Sequence, residues 1–378
     1  MAVSDWSTSA SSNASVGGVN IAENMDRSDV NNAIRAMMAD IAAWYASDGT
    51  LGVRSIIQGR ARVKYNTTTS IAVWVPAQVV MAGHRFMGSY HKGVGKQFAT
   101  GVNGKTTISF TTGLAHESAI KVSNWYAIFA LANSGDATCV LKLMPFFTVK
   151  SVAGLVVSLG QNGAGGTPGT AATYTLATNE LSGSEVLLIE EATLFSGRVV
   201  NCTASDTGSV TLDDVGSLAV GDRILCAPVG WDSYAYLGSF YVDAAGEPKN
   251  IADEGHRVGA LMDYTVAGVT ASGEVTPAAE IVLRSYVSPL ATAAVLSVTQ
   301  TLSTASTGDY AEYFWHDSSS HEIERTFVTK EGTANMGVDR GAVVLPFSEE
   351  QSFYYSTAGS LDTAIVSRSM QVRGWYEP

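Results

Sequence analysis

The feature that most limits the fold of this chain is a succession of short segments rich in β-branched and aromatic residues, separated by turn-forming residues. Segments of this kind include SIAVWVP (70–76), NWYAIFAL (124–131), TCVLKLM (138–144), EIVLRSYV (280–287) and SMQVRGW (369–375). The dipeptide Asn103-Gly104 adds the strongest two-residue signal for a β-hairpin. Strands at this spacing are typical of all-β sandwiches and barrels. The sequence therefore predicts a mainly β protein.

A chain of 378 residues has room for about two or three domains. The stretch GQNGAGGTPGTAA (160–172) is rich in glycine and resembles a flexible join. The shorter apolar runs beyond it predict a small β domain at 149–249. We expect this domain to be inserted into a jelly-roll-like β-sandwich that is formed by 51–148 together with 250–378. Residues 1–50 are predicted to form a separate arm and a short helix.

The segment DRSDVNNAIRAMMADIAAWY (26–45) has the pattern of a helix. Its large apolar residues follow one another at steps of four, three, four and three, which is the spacing of a coiled coil. These residues are Val30, Ile34, Met37, Ile41 and Trp44. The stripe covers only about two heptads, and an isolated helix of this length is marginal in water. We expect the stripe to contact sister copies, a larger assembly, or the chain's own β domain.

Two further observations favour association over packing within one chain. Charged residues make up only 15% of the sequence, which suits a protein that hides surface in an assembly. The polar arm before the helix carries Trp6, and an indole ring is costly to leave in water. We therefore predict that Trp6 and the apolar stripe serve oligomerisation and anchoring in a homo-oligomer.

The charge balance argues against nucleic acid and membranes as partners. The chain has 23 basic and 35 acidic residues, a formal net charge of −12, and no cluster of four or more basic residues. A nucleic-acid-binding protein needs a basic surface for the phosphates. No run of 18 or more apolar residues is present, so membrane insertion is not expected either.

Sequence motifs for catalysis or metal binding are weak. The triplet Gly104-Lys105-Thr106 lacks the first glycine of a phosphate-binding loop, because Ala99 occupies that position. HDSSSHEIE (316–324) is the densest group of potential ligands, but nothing in the sequence fixes the geometry that a site requires. The three cysteines form no CxxC pair. We predict no catalytic residue, no metal and no cofactor, and a protein that is not an enzyme.

The segment GWDSYAYLGSFY (230–241) is the one candidate for ligand contact. Trp231, Tyr234 and Tyr236 are aromatic rings of the kind that stack on sugars, and Asp232 supplies a carboxylate for hydroxyl groups. These four residues are candidate glycan contacts. The alternative is that the aromatic residues fill a β core or an interface, which is the commoner use of large rings.

Residues 5–41 resemble the N-terminal signature of tail fibre and minor structural proteins of tailed bacteriophages. The matching elements are Trp-Ser-Thr at 6–8, Ile-Ala-Glu at 21–23 and Asn-Asn-Ala-Ile-Arg-Ala-Met-Met at 31–38. Asn24 stands where the family often has glycine. A weaker resemblance joins SAIKVSNWYAIFALAN (118–133) and the ending VRGWYEP to the β domain that follows this signature.

The resemblance implies a structural subunit of a tailed-phage particle: a tail fibre, spike or baseplate-associated protein, assembled in the host cytoplasm as part of the virion. It implies a homotrimer whose arm and helix attach to other virion or tail proteins. The β domains would contact neighbouring subunits or a host cell-surface glycan. Two alternatives stay open. One is a glycan-degrading tailspike enzyme, which needs two converging carboxylates. The other is a joint or decoration subunit without host contact.

Overall fold

A computed structural model describes a defined part of the chain. The described residues are 15–16, 19–20, 38, 62–74, 78–82, 95–99, 105–116, 120–133, 140–161, 172–190, 198–231, 233–249, 251–253, 258–260, 279–284, 286–302, 307–315, 322–331, 337–347, 351–358 and 365–377. Of the predicted helix, only Met38 lies among them, and its side chain is buried. All six residues of the predicted anchoring surface lie outside them: Trp6, Val30, Ile34, Met37, Ile41 and Trp44.

The prediction of a mainly β protein is confirmed. The described residues form 24 β-strands, which are β1 (Ser15–Val16), β2 (Val19–Asn20), β3 (Arg62–Thr67), β4 (Ser70–Trp74), β5 (Gln78–Ala82), β6 (Gly95–Ala99), β7 (Lys105–Ser109), β8 (Asn124–Ala132), β9 (Val140–Ala153), β10 (Val156–Gln161), β11 (Glu185–Ile189), β12 (Arg198–Asp206), β13 (Ser209–Leu212), β14 (Arg223–Cys226), β15 (Ser233–Val242), β16 (Ile251–Asp253), β17 (Val258–Ala260), β18 (Ala279–Val282), β19 (Ala293–Leu302), β20 (Thr307–Trp315), β21 (Glu322–Glu331), β22 (Gly337–Pro346), β23 (Ser352–Ala358) and β24 (Ile365–Tyr376). Within this described part, no helix has the length and apolar character needed to cross a bilayer.

Six of these strands close into a barrel between residues 140 and 226. Their order is β9, β10, β13, β12, β11 and β14, and β14 pairs back onto β9, with every pairing antiparallel. Closure of this kind leaves no unpaired edge within the ring. The barrel pairings of β9 begin at Phe146, before the start of the small β domain predicted at 149–249. That domain division stays a prediction.

The long strand β9 belongs to two layers at once. Its first half pairs with β8, from Leu131 opposite Val140 to Tyr126 opposite Pro145, and its second half pairs with β14 and β10. The other edge of β8 pairs with β15. All nine residues of β8 are buried, which explains its unbroken apolar sequence, because a strand covered on both faces needs no polar alternation.

Two further sheets lie outside the barrel. One has eight strands in the order β22, β19, β24, β17, β16, β3, β4 and β7, and the other has four in the order β18, β23, β20 and β21. The chain therefore leaves the eight-stranded sheet after β7, builds the barrel, and returns to the same sheet at β16. The jelly-roll arrangement itself stays a prediction.

The buried apolar side chains of the barrel and of these sheets form one contiguous core. At its centre, Trp125 of β8 contacts Trp375 of β24 edge-on, with ring centroids 5.2 Å apart, and contacts Tyr241 of β15 at 5.4 Å. Aromatic pairs in such geometries contribute about 0.5–1.5 kcal/mol beyond the area they bury. These contacts tie β8, β15 and the eight-stranded sheet together.

Two glycines in turns of the barrel provide a matched test of how closely a neighbouring segment approaches one of these turns. Gly208, between β12 and β13, and Gly154, between β9 and β10, have φ angles of 79° and 61°. A Cβ at Gly208 would lie 2.5 Å from Thr173 Cγ2, whereas a Cβ at Gly154 would meet nothing within 4 Å. Both positions carry the left-handed backbone cost for an L-residue, but only the first adds a steric clash.

We expect Gly208→Ala to lower the free energy of unfolding by about 2–3 kcal/mol and Gly154→Ala by about 1 kcal/mol. Urea denaturation of both variants, followed by tryptophan fluorescence, measures the difference. Equal losses for the two variants would contradict the close approach of the 172–174 segment to the β12–β13 turn.

Candidate functional site

The structure places the three described candidate glycan contacts in different environments. Tyr234 is fully buried on β15, where its ring packs edge-on against Phe129 at 5.8 Å and its hydroxyl donates to Glu185 of the barrel. Trp231 is half-buried against the core, and Asp232 lies outside the described residues. Tyr234 therefore occupies a core position, and Trp231 retains an exposed part.

The fourth of these residues, Tyr236, donates its hydroxyl to a buried carboxylate. Glu377, which is 6% exposed and follows β24, accepts hydrogen bonds from Tyr236 Oη at 2.9 Å, Ser239 Oγ at 2.5 Å and Trp375 Nε1 at 3.0 Å. Three neutral donors thus solvate one buried carboxylate. Hydrogen bonds to a charged acceptor are about twice as strong as bonds between neutral groups.

A β-bulge explains how Tyr236 and Ser239 reach the same carboxylate. Residues three apart on a regular strand point to opposite faces. The register of β15 against β8 shifts between Tyr236 and Gly238, which inserts one residue and returns Ser239 to the face of Tyr236. Gly238 has φ of 148°, and a Cβ there would lie 3.7 Å from Glu377 Oε2.

From this carboxylate, a chain of buried hydrogen bonds runs to the barrel. The Ser239 hydroxyl lies 2.7 Å from Ser288 Oγ as well as 2.5 Å from Glu377 Oε1. Gln351 Nε2 donates to the Ser288 carbonyl at 2.7 Å. Gln351 Oε1 in turn accepts from an Arg223 guanidinium nitrogen at 2.7 Å.

Arg223 begins β14 and is 4% exposed, so the chain of contacts ends inside the barrel wall. Its guanidinium also donates to the Arg284 carbonyl at 3.2 Å. We call this set the joint network; its members are Arg223, Gln351, Ser288, Ser239, Tyr236, Trp375 and Glu377. It connects the barrel, β15, the start of β23 and the end of β24.

The protonation of Tyr236 follows from its position. Burial, reinforced by the neighbouring Glu377 carboxylate, raises the pKa of Tyr236 well above its usual value of 10. The phenol therefore stays protonated, and a hydrogen-bond donor, at neutral pH. The hydrogen bonds of the network join the barrel, β15 and the end of β24, so its role is to fix these elements relative to one another.

A second cluster lies where the connection before β8 meets the end of β14. The imidazole Nε2 of His116 accepts a hydrogen bond from the Val229 backbone N–H at 3.2 Å. Lys142 of β9 donates through Nζ to the carbonyls of Thr112 at 3.0 Å and Leu114 at 3.4 Å. Burial, followed by the Lys142 ammonium, lowers the pKa of His116 to about 4. The imidazole is therefore neutral at neutral pH, as its acceptor role requires.

The remaining residues singled out by the sequence have simple placements. Cys202 and Cys226 are free and buried; burial raises the pKa of Cys202 to about 11 and that of Cys226 well above 9. Cys139 and residues 316–321 lie outside the described part of the chain. Among the residues that the structure describes, no group of three or more His, Cys, Asp or Glu side chains is arranged to hold a metal ion.

No protein-family model and no curated protein sequence matches the chain. Sequence reasoning missed both Glu377 and His116. Glu377 is an ordinary acidic residue near the end of the sequence, and its burial depends on partners that come from distant segments. His116 follows a predicted strand without any motif. Only the bulge-forming Gly238 leaves a trace in the sequence, as a glycine inside an aromatic strand.

Hydroxyl deletions test the joint network against a matched control. Tyr236→Phe removes one donor from the buried Glu377 carboxylate, and we expect a loss of about 1–2 kcal/mol in the free energy of unfolding. Tyr174 is fully buried and its hydroxyl has no hydrogen-bond partner among the described residues, so Tyr174→Phe should cost nothing or stabilise slightly. Urea titrations of both variants measure the two losses of unfolding free energy. A larger loss for Tyr174→Phe than for Tyr236→Phe would contradict the network.

His116 should make stability depend on pH in a defined window. The pKa of His116 is about 4 in the folded chain and 6.5 ordinarily. Between these pH values the unfolded chain binds a proton at His116 and the folded chain does not. The contribution of the neutral His116 imidazole to the free energy of unfolding is complete above pH 6.5. It is lost as the pH falls toward 4, and the total loss is no more than about 3 kcal/mol.

The variant His116→Gln keeps an acceptor for Val229 but does not titrate. We expect the difference in unfolding free energy between wild type and this variant to shift against the wild type between pH 7 and pH 4. Urea unfolding across that range measures it. Parallel stability curves for the two proteins would show that the imidazole is not buried as described.

Proposed function

We propose that this chain is a structural subunit of a tailed-phage particle, attached through residues 1–50 and displaying its β domains toward neighbouring subunits or the host surface. The resemblance of residues 5–41 to the tail fibre signature supports this attachment. The low charge content of the sequence and the apolar stripe of 26–45 support assembly into a homotrimer.

The observation that carries the structural part of the proposal is the way the barrel is attached to β8 through the shared strand β9. Strand β9 runs without interruption from the β8 pairing into the barrel, so no flexible linker separates the two at that point. The joint network adds buried polar contacts between Arg223 of the barrel and Gln351 before β23. A display subunit requires such a fixed orientation, since a swivelling domain would spread its contact surface over many directions.

Buried polar contacts are suited to this task for a physical reason. Apolar surfaces tolerate sliding, whereas a hydrogen-bonded chain is satisfied in one register only, and a shift leaves buried donors and acceptors unpaired at about 1–3 kcal/mol each. We infer that the joint network serves orientation more than total stability. The exposed part of Trp231 leaves room for a glycan contact as part of the display role.

Light scattering on the intact chain tests the oligomeric part of the proposal. We expect a trimer for the wild type and a monomer for Ile34→Asp, because a carboxylate in a shared apolar seam is costly to bury. Asn32→Asp, on a neighbouring position outside the stripe, is the matched control and should remain trimeric. A monomeric wild type would contradict the proposal.

The particle assignment has its own test. Antibodies raised against the purified chain should label intact phage particles at one appendage in electron micrographs. Failure to label or to detect the chain in purified particles would overturn the assignment. Release of new reducing ends from host polysaccharide by the purified chain would replace it with the glycan-degrading alternative.

A further inference from the structure

The reactive groups of the joint network are closed off from solvent. Ser288 is 0% exposed, Ser239 1% and Gln351 2%, and the Glu377 carboxylate beside them is buried as well. Together they comprise a carboxylate, two hydroxyl groups and a carboxamide, which are the groups that take part in acyl transfer. Because so little of these side chains is exposed, an outside substrate has no access to them. Any reaction of these groups is therefore a reaction of the chain with itself.

Ser288 stands between the carboxylate and the carboxamide. Its Oγ lies 2.7 Å from Ser239 Oγ, which in turn lies 2.5 Å from Glu377 Oε1. Its backbone carbonyl oxygen accepts a hydrogen bond from Gln351 Nε2 at 2.7 Å. A serine side chain has one torsion, so Oγ changes position while the carbonyl oxygen keeps hold of the carboxamide. Ser288 is therefore the residue that contacts both a path to a base and the Gln351 side chain.

The contacts of the Gln351 carboxamide suit an acyl donor. A guanidinium nitrogen of Arg223 donates to Oε1 at 2.7 Å, and a cation there stabilises the negative charge that this oxygen gains when a nucleophile adds to the carbonyl carbon. Nε2 donates to the carbonyl oxygens of Ser288 at 2.7 Å and Ala291 at 3.3 Å. These two acceptors favour the nitrogen as it takes up a proton and leaves.

We propose that Ser288 and Gln351 form an ester crosslink within the chain. Ser288 Oγ adds to Gln351 Cδ, and the hydroxyl proton passes through Ser239 to the Glu377 carboxylate. Glu377 then returns a proton, by the same path, to the Gln351 nitrogen, which leaves as ammonia. One C–O bond forms, one C–N bond breaks, and one O–H bond is exchanged for an N–H bond. The step requires no oxidant, reductant or other reagent.

The buried position favours both the formation and the persistence of this ester. The fold holds the reacting groups together, which removes the entropic cost of bringing them into contact. Water is excluded, so the ester is protected from hydrolysis, whereas ammonia escapes and is protonated at neutral pH. The bond joins residues 63 apart in sequence and lowers the entropy of the unfolded chain, as a disulfide does. The inference does not depend on the particle assignment.

The mass of the intact wild-type chain tests the crosslink without any substitution. The full-length chain is purified in its folded form, then unfolded in acid and measured by mass spectrometry. We expect the mass of the sequence, with or without Met1, less one molecule of ammonia, because ester formation releases nothing else. A chain that retains the full mass of its sequence would overturn the proposal.

Digestion with trypsin locates the bond. Ser288 lies in the tryptic peptide 285–325, and Gln351 lies in the tryptic peptide 341–368. We expect the two peptides to appear as one branched species. Hydroxylamine should separate them, because it cleaves esters and leaves amides intact. Two separate unmodified peptides, or a loss of ammonia at any other residue, would overturn the proposal.

Two substitutions separate the chemistry from the packing. Ser288→Ala removes the hydroxyl group and Glu377→Gln removes the proton acceptor, so we expect both variants to keep the full mass of their sequences. Ser184→Ala is the matched control and should still lose ammonia, since Ser184 is also buried but precedes β11, outside the joint network. Thermal melting shows which variants fold. A folded Glu377→Gln variant that loses ammonia would overturn the proposal. If neither variant folds, the wild-type mass and peptides decide alone.

Discussion

The arrangement of this protein depends on one strand that serves two layers. β9 changes neighbours midway, from β8 to β14, while β10 pairs along its later residues. The barrel is thereby built onto the same hydrogen-bonded ladder that supports β8 and β15. The contacts of Arg223, which also fix the barrel, act on a geometry that this strand has already set.

The joint network is the polar counterpart of that constraint. It places a guanidinium at one end and a carboxylate at the other, and the groups between them exchange hydrogen bonds in the interior. Such groups gain little net free energy from pairing but lose much if left alone. A structure that uses such groups gives up a little stability and holds its parts in a single relative orientation.

The sequence predicted the local features well. The apolar run NWYAIFAL became β8. Features that depend on distant partners were not predictable. Barrel closure needs β14 to meet β9, and the burial of Tyr234 depends on Phe129 and Glu185. A pattern of aromatic residues within one segment cannot show which of them a neighbouring sheet will cover.

The shared strand also has a consequence for how the chain is made. Its later residues leave the ribosome long before β14 does, so during synthesis they present an unsatisfied backbone edge. The ring closes only when Arg223–Cys226 arrives, a pairing of high sequence separation that slows folding. Until then the nascent chain exposes an unpaired strand edge, to which a strand of another copy can pair.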